Sequence, residues 1–319
     1  MAAGCRAPFG DVPNNPEGVE KYMKSIKKVL GLLAIVMTII GLDFSSLQSK
    51  ALAMQEVPRS TWLWNTSLIK TQPDVILLFL QQKNVKQVYL QVDQSMPISY
   101  YQSFIGKASA NNIQVHALDG APDWASAAGI TKMDTFLNWL QNYQRQTSSS
   151  QRFAGIHLDV EPYLYKGWTS NYKGTVLDYQ TALTKAKNFA KQQGIVIGAD
   201  IPFWFDEQSY SNKYGKGSLA KWVIQNTDIP TVMAYRDLAE GSNGIIALIK
   251  NEMQIASTLG KTIAIGVETG QTTEGSQVTF YEEGEAIMNT ELGKVQNAYS
   301  GSNYLFAIHH YQSWADIKQ

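Results

Sequence analysis

The sequence has little cysteine, no excess of charge of either sign and no long apolar run. Cys5 is its only cysteine, so no disulfide bond can form within the chain. The 27 basic and 27 acidic residues balance, and the chain therefore offers no basic surface for nucleic acid. The N-terminal apolar run, Val29–Leu42, is interrupted only by Gly and Thr and has about 14 residues, fewer than the ~20 that span a bilayer.

That run has the composition of a signal peptide. Lysines at 24, 27 and 28 precede it, and Ala51-Leu52-Ala53 follows it with the small residues of a cleavage site. We therefore expect cleavage near Ala53 and a protein that is secreted or displayed at the cell surface. An uncleaved signal anchor is the alternative, and it is the only membrane attachment that we expect.

The start of translation is open between Met1 and Met23. Residues 1–22 are rich in Pro and Asn and lack apolar periodicity, whereas a start at Met23 would give a compact signal sequence. On either reading, residues 1–53 form an N-terminal extension with a signal segment. Residues 54–319 form the mature domain, which has no low-complexity linker or shift in composition.

The mature region alternates short β-branched runs with helical patterns, which predicts a single α/β domain. The predicted strands are Thr61–Trp64, Gln87–Val92, Gln114–Leu118, Phe153–Val160, Val196–Ile201, Pro230–Ala234, Thr262–Val267 and Tyr304–His309. The predicted helices include Asp74–Gln82, Ser218–Gln225, Ile245–Leu259, Gln277–Asn297 and two amphipathic segments, one around Phe136–Tyr143 and one around Leu183–Ala190 that ends before Gly194.

Eight strands that alternate with helices in roughly 260 residues favour a (β/α)8 TIM barrel. Few residues remain after the eighth strand, so the last helix must be short or absent. A doubly wound open sheet is the competing fold, but no Gly-rich phosphate loop follows the first strand.

The segment Gly155–Glu161 reads as a buried strand that ends in two acids. Alternation places His157, Asp159 and Glu161 on one face of that strand. Neighbouring like charges raise the pKa of one carboxyl, which is what a general acid near neutral pH requires. The structural alternative is that these acids cap a helix or pair with lysine.

In a (β/α)8 barrel the active site lies where the strands end. Acids and aromatic residues gather at those positions, and this composition is typical of a carbohydrate site because aromatic rings pack on sugar C–H faces while acids bind hydroxyl groups. The residues that we predict to bind substrate are Trp64, Asp93, Asp200, Trp204, Arg236, Asp237, Glu268, Tyr311 and Trp314.

The fourth strand resembles a known family signature. Gly155–Glu161 is similar to the D-G-x-D-x-D-x-E motif of family 18 glycoside hydrolases, the chitinase-like barrels. Met233-Ala234-Tyr235 resembles the M-x-Y motif on that family's sixth strand, and Trp314 resembles the Trp beneath its sugar subsite. Ala154 and His157 stand where the family has its first two aspartates, so the chain is a divergent example of the pattern.

The resemblance implies a retaining, substrate-assisted hydrolysis of 2-acetamido sugars. Glu161 would protonate the glycosidic oxygen, and Asp159 would orient and stabilise the substrate's acetamido group. Tyr235 would hydrogen-bond to that group while Trp314 stacked beneath the sugar. His157 would either tune Asp159 or serve as a satisfied core histidine.

Other assignments remain open. Glu161 and Glu268 could act as the acid/base and nucleophile of a different retaining barrel, with Glu268 otherwise pairing with Arg236. The chain could also be a carbohydrate-binding barrel without catalysis. We expect no metal and no cofactor, since no H-x-H or H-E-x-x-H spacing occurs. We expect a monomer.

Overall fold

Eight parallel strands close into a barrel in the computed structural model, which describes residues 56–319. The barrel strands are β1 (Arg59–Leu63), β2 (Val85–Gln91), β3 (Gln114–Asp119), β4 (Gly155–Leu158), β5 (Val196–Pro202), β8 (Ile229–Met233), β9 (Ile263–Glu268) and β10 (Tyr304–His309). Their order around the barrel is β1-β10-β9-β8-β5-β4-β3-β2. The remaining two strands, β6 (Ser209–Asn212) and β7 (Gly215–Ser218), form an antiparallel hairpin between β5 and β8.

One main helix follows each barrel strand. These helices are α1 (Pro73–Gln82), α2 (Ile98–Ala110), α3 (Ala127–Arg145), α4 (Tyr172–Gln193), α5 (Leu219–Asn226), α6 (Lys250–Leu259), α7 (Glu285–Ala298) and α8 (Tyr311–Asp316). Single-turn helices lie at Leu68–Thr71, Gly167–Ser170 and Ile245–Leu248. The structure confirms the predicted (β/α)8 barrel with a short last helix and excludes the doubly wound sheet. No helix within residues 56–319 has the length and apolarity to cross a bilayer.

Two apolar layers result from the alternation of side chains along each strand. Inside the barrel, Trp62 and Tyr89 pack with Leu118, Leu305 and small alanines. A larger cluster fills the space between the strands and the helices, and it includes Ile156 and Leu158 of β4. The intervening His157 therefore points into the barrel, as the strand alternation predicts.

Two predicted helices differ from the observed ones. The segment predicted as Gln277–Asn297 begins in a 3-10 turn, Ser276–Val278, and becomes α-helical only at Glu285, after Gly284 with its φ of 90°. The segment predicted as Ile245–Leu259 is divided in two at Ile249. The signal segment, the cleavage site near Ala53 and the alternative start at Met23 lie outside the described residues.

Trp314 lies in the helical layer, which corrects its predicted place beneath a sugar. It is fully buried, its ring packs edge-on against Phe79 at 5.2 Å, and its Nε1 donates a 3.1 Å hydrogen bond to Glu285. Tyr311, also predicted to bind substrate, is 6% exposed and packs against Phe79 as well. Both side chains project outward from α8 and stabilise the fold, because this helix turns them away from the strand ends.

We predict that Trp314→Ala lowers the free energy of unfolding by about 3–5 kcal/mol, since it opens a large cavity and removes a donor from a buried carboxylate. Urea unfolding would measure the loss. The matched control is Leu238→Ala, because Leu238 is 57% exposed and should change stability little. A Trp314→Ala protein of unchanged stability would contradict this placement.

Candidate active site

A cluster of carboxyl groups occupies the end of the barrel where the strands terminate. Asp159 and Glu161 follow β4, Asp200 lies in β5 and Glu268 ends β9. Burial raises the pKa of Asp159 well above its usual range, and the charges of Asp200 and Glu161 raise it further. Burial and these same four acids also raise the pKa of Tyr235. Tyr235 therefore lies within the cluster that the acids form.

The backbone around Asp159 is held by the loop after β3. The amide of Asp159 donates a 3.1 Å hydrogen bond to the carbonyl oxygen of Asp119. A Cβ atom at Gly120 would lie 2.1 Å from the carbonyl oxygen of Asp159, so only glycine permits this approach. The Asp159 carboxyl itself receives no hydrogen bond from any residue in the range 56–319, which leaves it free for a ligand.

Glu161 is bonded by a residue that lies two positions further along the chain. A 3-10 turn, Pro162–Leu164, directs the Tyr163 hydroxyl back so that it donates a hydrogen bond to Oε1 of Glu161. The Tyr163 ring packs edge-on against Trp204 at a centroid distance of 5.1 Å. Trp204 is partly exposed and thus lies beside the acid, on the side of the opening formed after β5.

Asp200 is the fully buried acid of the cluster, which corrects its predicted role as a ligand for substrate. It is 2% exposed, and both of its oxygens are hydrogen-bonded: Oδ2 accepts from Trp62 Nε1 at 3.1 Å, and Oδ1 lies 2.7 Å from His157 Nε2. His157 stacks on Tyr89 with centroids 3.6 Å apart. Burial raises the pKa of Asp200 to about 8 and lowers the pKa of His157 to about 3, so this imidazole is neutral near pH 7.

Glu268 forms a separate, fully bonded pair with His309. Its Oε2 lies 2.6 Å from His309 Nδ1, and its Oε1 accepts hydrogen bonds from the amides of Thr269 at 2.8 Å and Gly270 at 2.6 Å. Although burial raises the pKa of Glu268, the hydrogen bonds from His309, Gly270 and Thr269 outweigh it and lower the pKa overall. The other imidazole nitrogen, Nε2, accepts a 3.2 Å hydrogen bond from Trp64 Nε1, which holds Trp64 at the opening.

The predicted pairing of Glu268 with Arg236 is wrong. The Arg236 guanidinium instead donates to the carbonyl oxygen of Tyr235 at 2.6 Å and to Asn243 at 3.1 Å, and it lies 5.2 Å from the Phe203 ring centroid. Arg236 therefore stabilises the chain segment after β8, and Glu268 pairs with His309 instead.

Two further acids predicted to bind substrate lie apart from the cluster. Asp93 is exposed and accepts hydrogen bonds from the amide and hydroxyl of Ser95, so it stabilises its own turn. Burial raises the pKa of Asp237, and the nearby charges of Glu291 and Glu282 raise it further.

The sequence signal did not identify Tyr163, Trp62 or the pairing of Glu268 with His309 as parts of the site. Tyr163 is adjacent to the motif in sequence, whereas Trp62 and His309 reach the cluster only because β1 and β10 close the barrel. Within residues 56–319, no group of three His, Cys, Asp or Glu side chains is arranged to hold a metal ion.

Comparisons with known proteins find similarity in fold. No family model matches the sequence, and no curated protein is significantly similar to it. Among solved structures, the chain is similar to a class V chitinase from Nicotiana tobaccum, with 11% identity over 81% of this chain and 99% of that one and a TM-score of 0.46.

Two further chitinases are similar at the same distance. The second catalytic domain of the Ostrinia furnacalis group II chitinase shares 10% identity over 70% of this chain and 69% of that one, with a TM-score of 0.46. A family 18 chitinase from Cycas revoluta, crystallised with an N-acetylglucosamine tetramer, shares 10% identity over 66% of this chain and 68% of that one, with a TM-score of 0.43.

We predict that Glu268→Gln lowers the free energy of unfolding at pH 7 by about 1–3 kcal/mol, because an amide replaces a carboxylate bound by three N–H groups. Folding lowers the pKa of Glu268, so its carboxylate stabilises the fold above its unfolded pKa of ~4.3. That stabilisation is lost as the pH falls through the lower, folded value.

Urea unfolding at pH 7 and at pH 3 would measure this effect. The difference between wild type and Glu268→Gln should shrink at the lower pH. Glu274→Gln, on the exposed loop that follows, is the matched control and should show little difference at either pH. A destabilisation by Glu268→Gln that grows on acidification would contradict the bonded pair.

Proposed function

We propose that the protein is a glycoside hydrolase that acts on polysaccharides containing 2-acetamido sugars, with Glu161 as the general acid. The observation that carries the proposal is the pair of carboxyl groups after β4. Asp159 lies without a protein hydrogen-bond partner in the described chain, two residues before an acid that only the Tyr163 hydroxyl binds. The resemblance of Gly155–Glu161 to the fourth-strand motif of family 18 glycoside hydrolases supports the same class of substrate.

The chemistry needs three groups of the cluster. Glu161 gives its proton to the glycosidic oxygen as the bond to the anomeric carbon breaks, and the substrate's acetamido oxygen attacks that carbon. Asp159 accepts a hydrogen bond from the acetamido N–H, on which positive charge develops. Glu161 then takes a proton from the water that displaces the acetamido oxygen, so the product keeps its original configuration.

Tyr235 and Trp64 are suited to hold the sugar. The Tyr235 hydroxyl forms no hydrogen bond with another residue of the range 56–319, and it lies among the carboxyls that surround the acetamido group in this mechanism. Trp64 is partly exposed and oriented by His309, so its ring offers a fixed apolar surface at the opening. We therefore assign to Trp64 the stacking role that the buried Trp314 cannot perform.

The alternative retaining mechanism with Glu268 as nucleophile is disfavoured by the hydrogen bonds of that residue. A nucleophilic carboxylate needs an oxygen that is free to attack, whereas Glu268 has one oxygen bound to two amides and the other to His309. Its bonds suit a residue that orients His309.

We also propose that the protein acts outside the cytoplasm. Support comes from the lysines and the apolar run before Ala51-Leu52-Ala53, which form the pattern of an export signal. Such a location would give the enzyme access to cell-surface or extracellular polysaccharide.

We predict that the protein releases sugar only from acetamido glycans and that Glu161→Gln lowers the rate about 10²–10⁴-fold, because the amide cannot donate the acid proton. The measurement is product mass analysis on paired acetamido and non-acetamido oligosaccharides. Glu207→Gln, an exposed acid in the loop after β5, is the matched control and should keep the wild-type rate.

Three results would contradict this assignment. Release from non-acetamido glycans, with equal loss in Glu161→Gln and Glu268→Gln, would favour the Glu268 mechanism. Calorimetric binding without product would favour a carbohydrate-binding barrel. A protein that neither binds glycans nor releases sugar from them would exclude a carbohydrate function.

Export predicts that N-terminal sequencing of the native protein finds a first residue near Met54, because the signal would be removed after Ala53. A native N-terminus at Met1 or Met23 in the cytoplasmic fraction would contradict the proposal.

A further inference from the structure

The charged residues of the barrel are separated along its axis. At the end with the candidate active site, the loops that leave the strands carry many acids, among them Asp93, Glu161, Glu207, Asp237 and Glu274. At the opposite end, the loops between residues 83 and 303 that lead into the strands contain a single acid, Asp228. The balance of charge over the whole sequence therefore conceals a local basic surface at that end.

This basic surface contains two adjoining pockets. The first has a volume of about 260 Å³ and lies between the C-terminal ends of α3 and α4. The second has a volume of about 240 Å³ and lies beside the starts of β5 and β8. Ile195, just before β5, lines both pockets, so they form one continuous surface. The cations that line it, termed the basic face, are Arg145, Arg152, Lys187, Lys191 and Lys261.

Three cations of the basic face are held in place by neutral groups. Arg152 Nε donates a 3.0 Å hydrogen bond to the carbonyl oxygen of Thr147, and Lys187 Nζ donates a 2.9 Å hydrogen bond to the Asn226 side chain. Lys261 Nζ donates to the carbonyl oxygen of Thr227 at 2.7 Å. These bonds orient the cations but do not neutralise their charges.

Acids compensate little of the charge on the basic face. Arg145 and Lys191 are exposed, and neither pairs with an acid of the described chain. Asp228 Oδ1 lies 3.8 Å from Lys261 Nζ, and Asp228 Oδ2 accepts a 3.0 Å hydrogen bond from the amide of Ile197. One carboxylate thus faces all the cations, and such a concentration of like charge attracts anions.

The ends of the helices do not account for all of these cations. Arg145 and Lys191 lie in the last turns of α3 and α4, where the helix dipole favours a positive charge. Neither side chain donates a hydrogen bond to the carbonyls of those turns within residues 56–319. The last turns of α6 and α7 contain no basic residue, so the fold does not require one. The charges of Arg145 and Lys191 are available to a ligand.

The shape and lining of the pockets fit a charged sugar chain. Pockets that enclose a small ligand usually measure ~300–1,000 Å³, so these smaller ones suit a chain that passes over both. Arginine binds acidic groups with paired N–H donors, while Gln193 and Ile195 offer polar and apolar contacts to sugar rings. None of the strongly exposed large apolar residues of the described chain lines either pocket, which disfavours insertion into a bilayer.

We infer that the basic face is a docking surface for an anionic polysaccharide, whose acidic groups bind the cations while its sugar rings lie over the two pockets. The basic face lies at the N-terminal ends of the strands and the catalytic carboxyls lie at the C-terminal ends, so a docked chain leaves the active site open. Docking would hold the protein on a polymer without occupying that site. This inference does not rest on the proposed hydrolysis.

The test is calorimetric binding of the full chain to polygalacturonate, with dextran as the uncharged control polymer, at about 50 mM and about 500 mM NaCl. We expect polygalacturonate to bind and its Kd to rise about tenfold or more at the higher salt concentration, because salt screens exposed charges. Dextran should not bind at either concentration.

Variants locate the binding surface. Arg145→Gln combined with Lys191→Gln should raise the Kd for polygalacturonate about tenfold, since two unpaired charges are removed. The matched control combines Lys213→Gln with Lys216→Gln, two exposed lysines of the β6–β7 hairpin at the other end of the barrel, and should change the Kd less than about twofold. If the first variant does not fold, Lys191→Gln alone should raise the Kd about threefold.

Several results would overturn the inference. These are absent or salt-independent binding of polygalacturonate, an unchanged Kd in the Arg145 and Lys191 variants, and an equal loss in the hairpin variant. Tighter binding to double-stranded DNA at the same salt concentration would assign the face to nucleic acid instead. Binding only to vesicles of phosphatidylcholine and phosphatidylglycerol would assign it to a membrane.

The outcome is separable from that of the proposed function. Glu161→Gln should bind polygalacturonate with the wild-type Kd, because Glu161 lies at the other end of the barrel. A wild-type protein that binds the polymer but releases no sugar would contradict the hydrolysis and retain the docking surface. An active protein that does not bind polygalacturonate would retain the hydrolysis and contradict the docking surface.

Discussion

Three carboxyl groups, those of Asp159, Glu161 and Asp200, are confined together at one end of a closed barrel, and the rest of the site depends on that crowding. Burial and mutual repulsion raise the pKa values of Asp159 and Asp200. Against the effect of burial, the hydrogen bond that Trp62 Nε1 donates to Asp200 lowers the pKa of that acid. The remaining acid, Glu161, is bonded by a tyrosine and lies nearer the solvent.

The acids of the site differ in the hydrogen-bond donors that surround them. Glu268 is bound by two amides and His309 and remains a carboxylate, which suits an orienting role. Asp159 has no donors from the described chain, so in the proposed mechanism its carboxyl is left to bind the substrate. Similar residue types thus serve different purposes because their hydrogen-bond partners differ, and composition at the strand ends does not show this difference.

The strand pattern predicted the barrel because apolar alternation records which face of each strand is buried. It also predicted that His157 points into the barrel, since that depends on alternation within one strand, whereas Asp159 and Glu161 lie just after the end of that strand. Contacts between distant strands were not predictable in this way. Trp62 and Asp200 are 138 positions apart, and Glu268 and His309 are 41 apart, so only barrel closure brings each pair together.

The errors have equally local causes. Trp314 was assigned by its position after the last strand, but α8 begins at Tyr311 and rotates the indole outward. The helix was predicted to begin at Gln277, but the positive φ at Gly284 prevents a continuous helix through that residue. In each case the structure after a strand depends on local backbone geometry that residue spacing does not encode.

The central claim is that the substrate's own acetamido group, assisted by Asp159 and Glu161, displaces the leaving group. Proton NMR of the first product formed from a β-linked N-acetylglucosamine oligosaccharide tests this most directly. The account predicts that the new reducing end appears first as the β-anomer and equilibrates afterwards, since two displacements retain configuration. Initial appearance of the α-anomer would show a single displacement by water and would contradict the account.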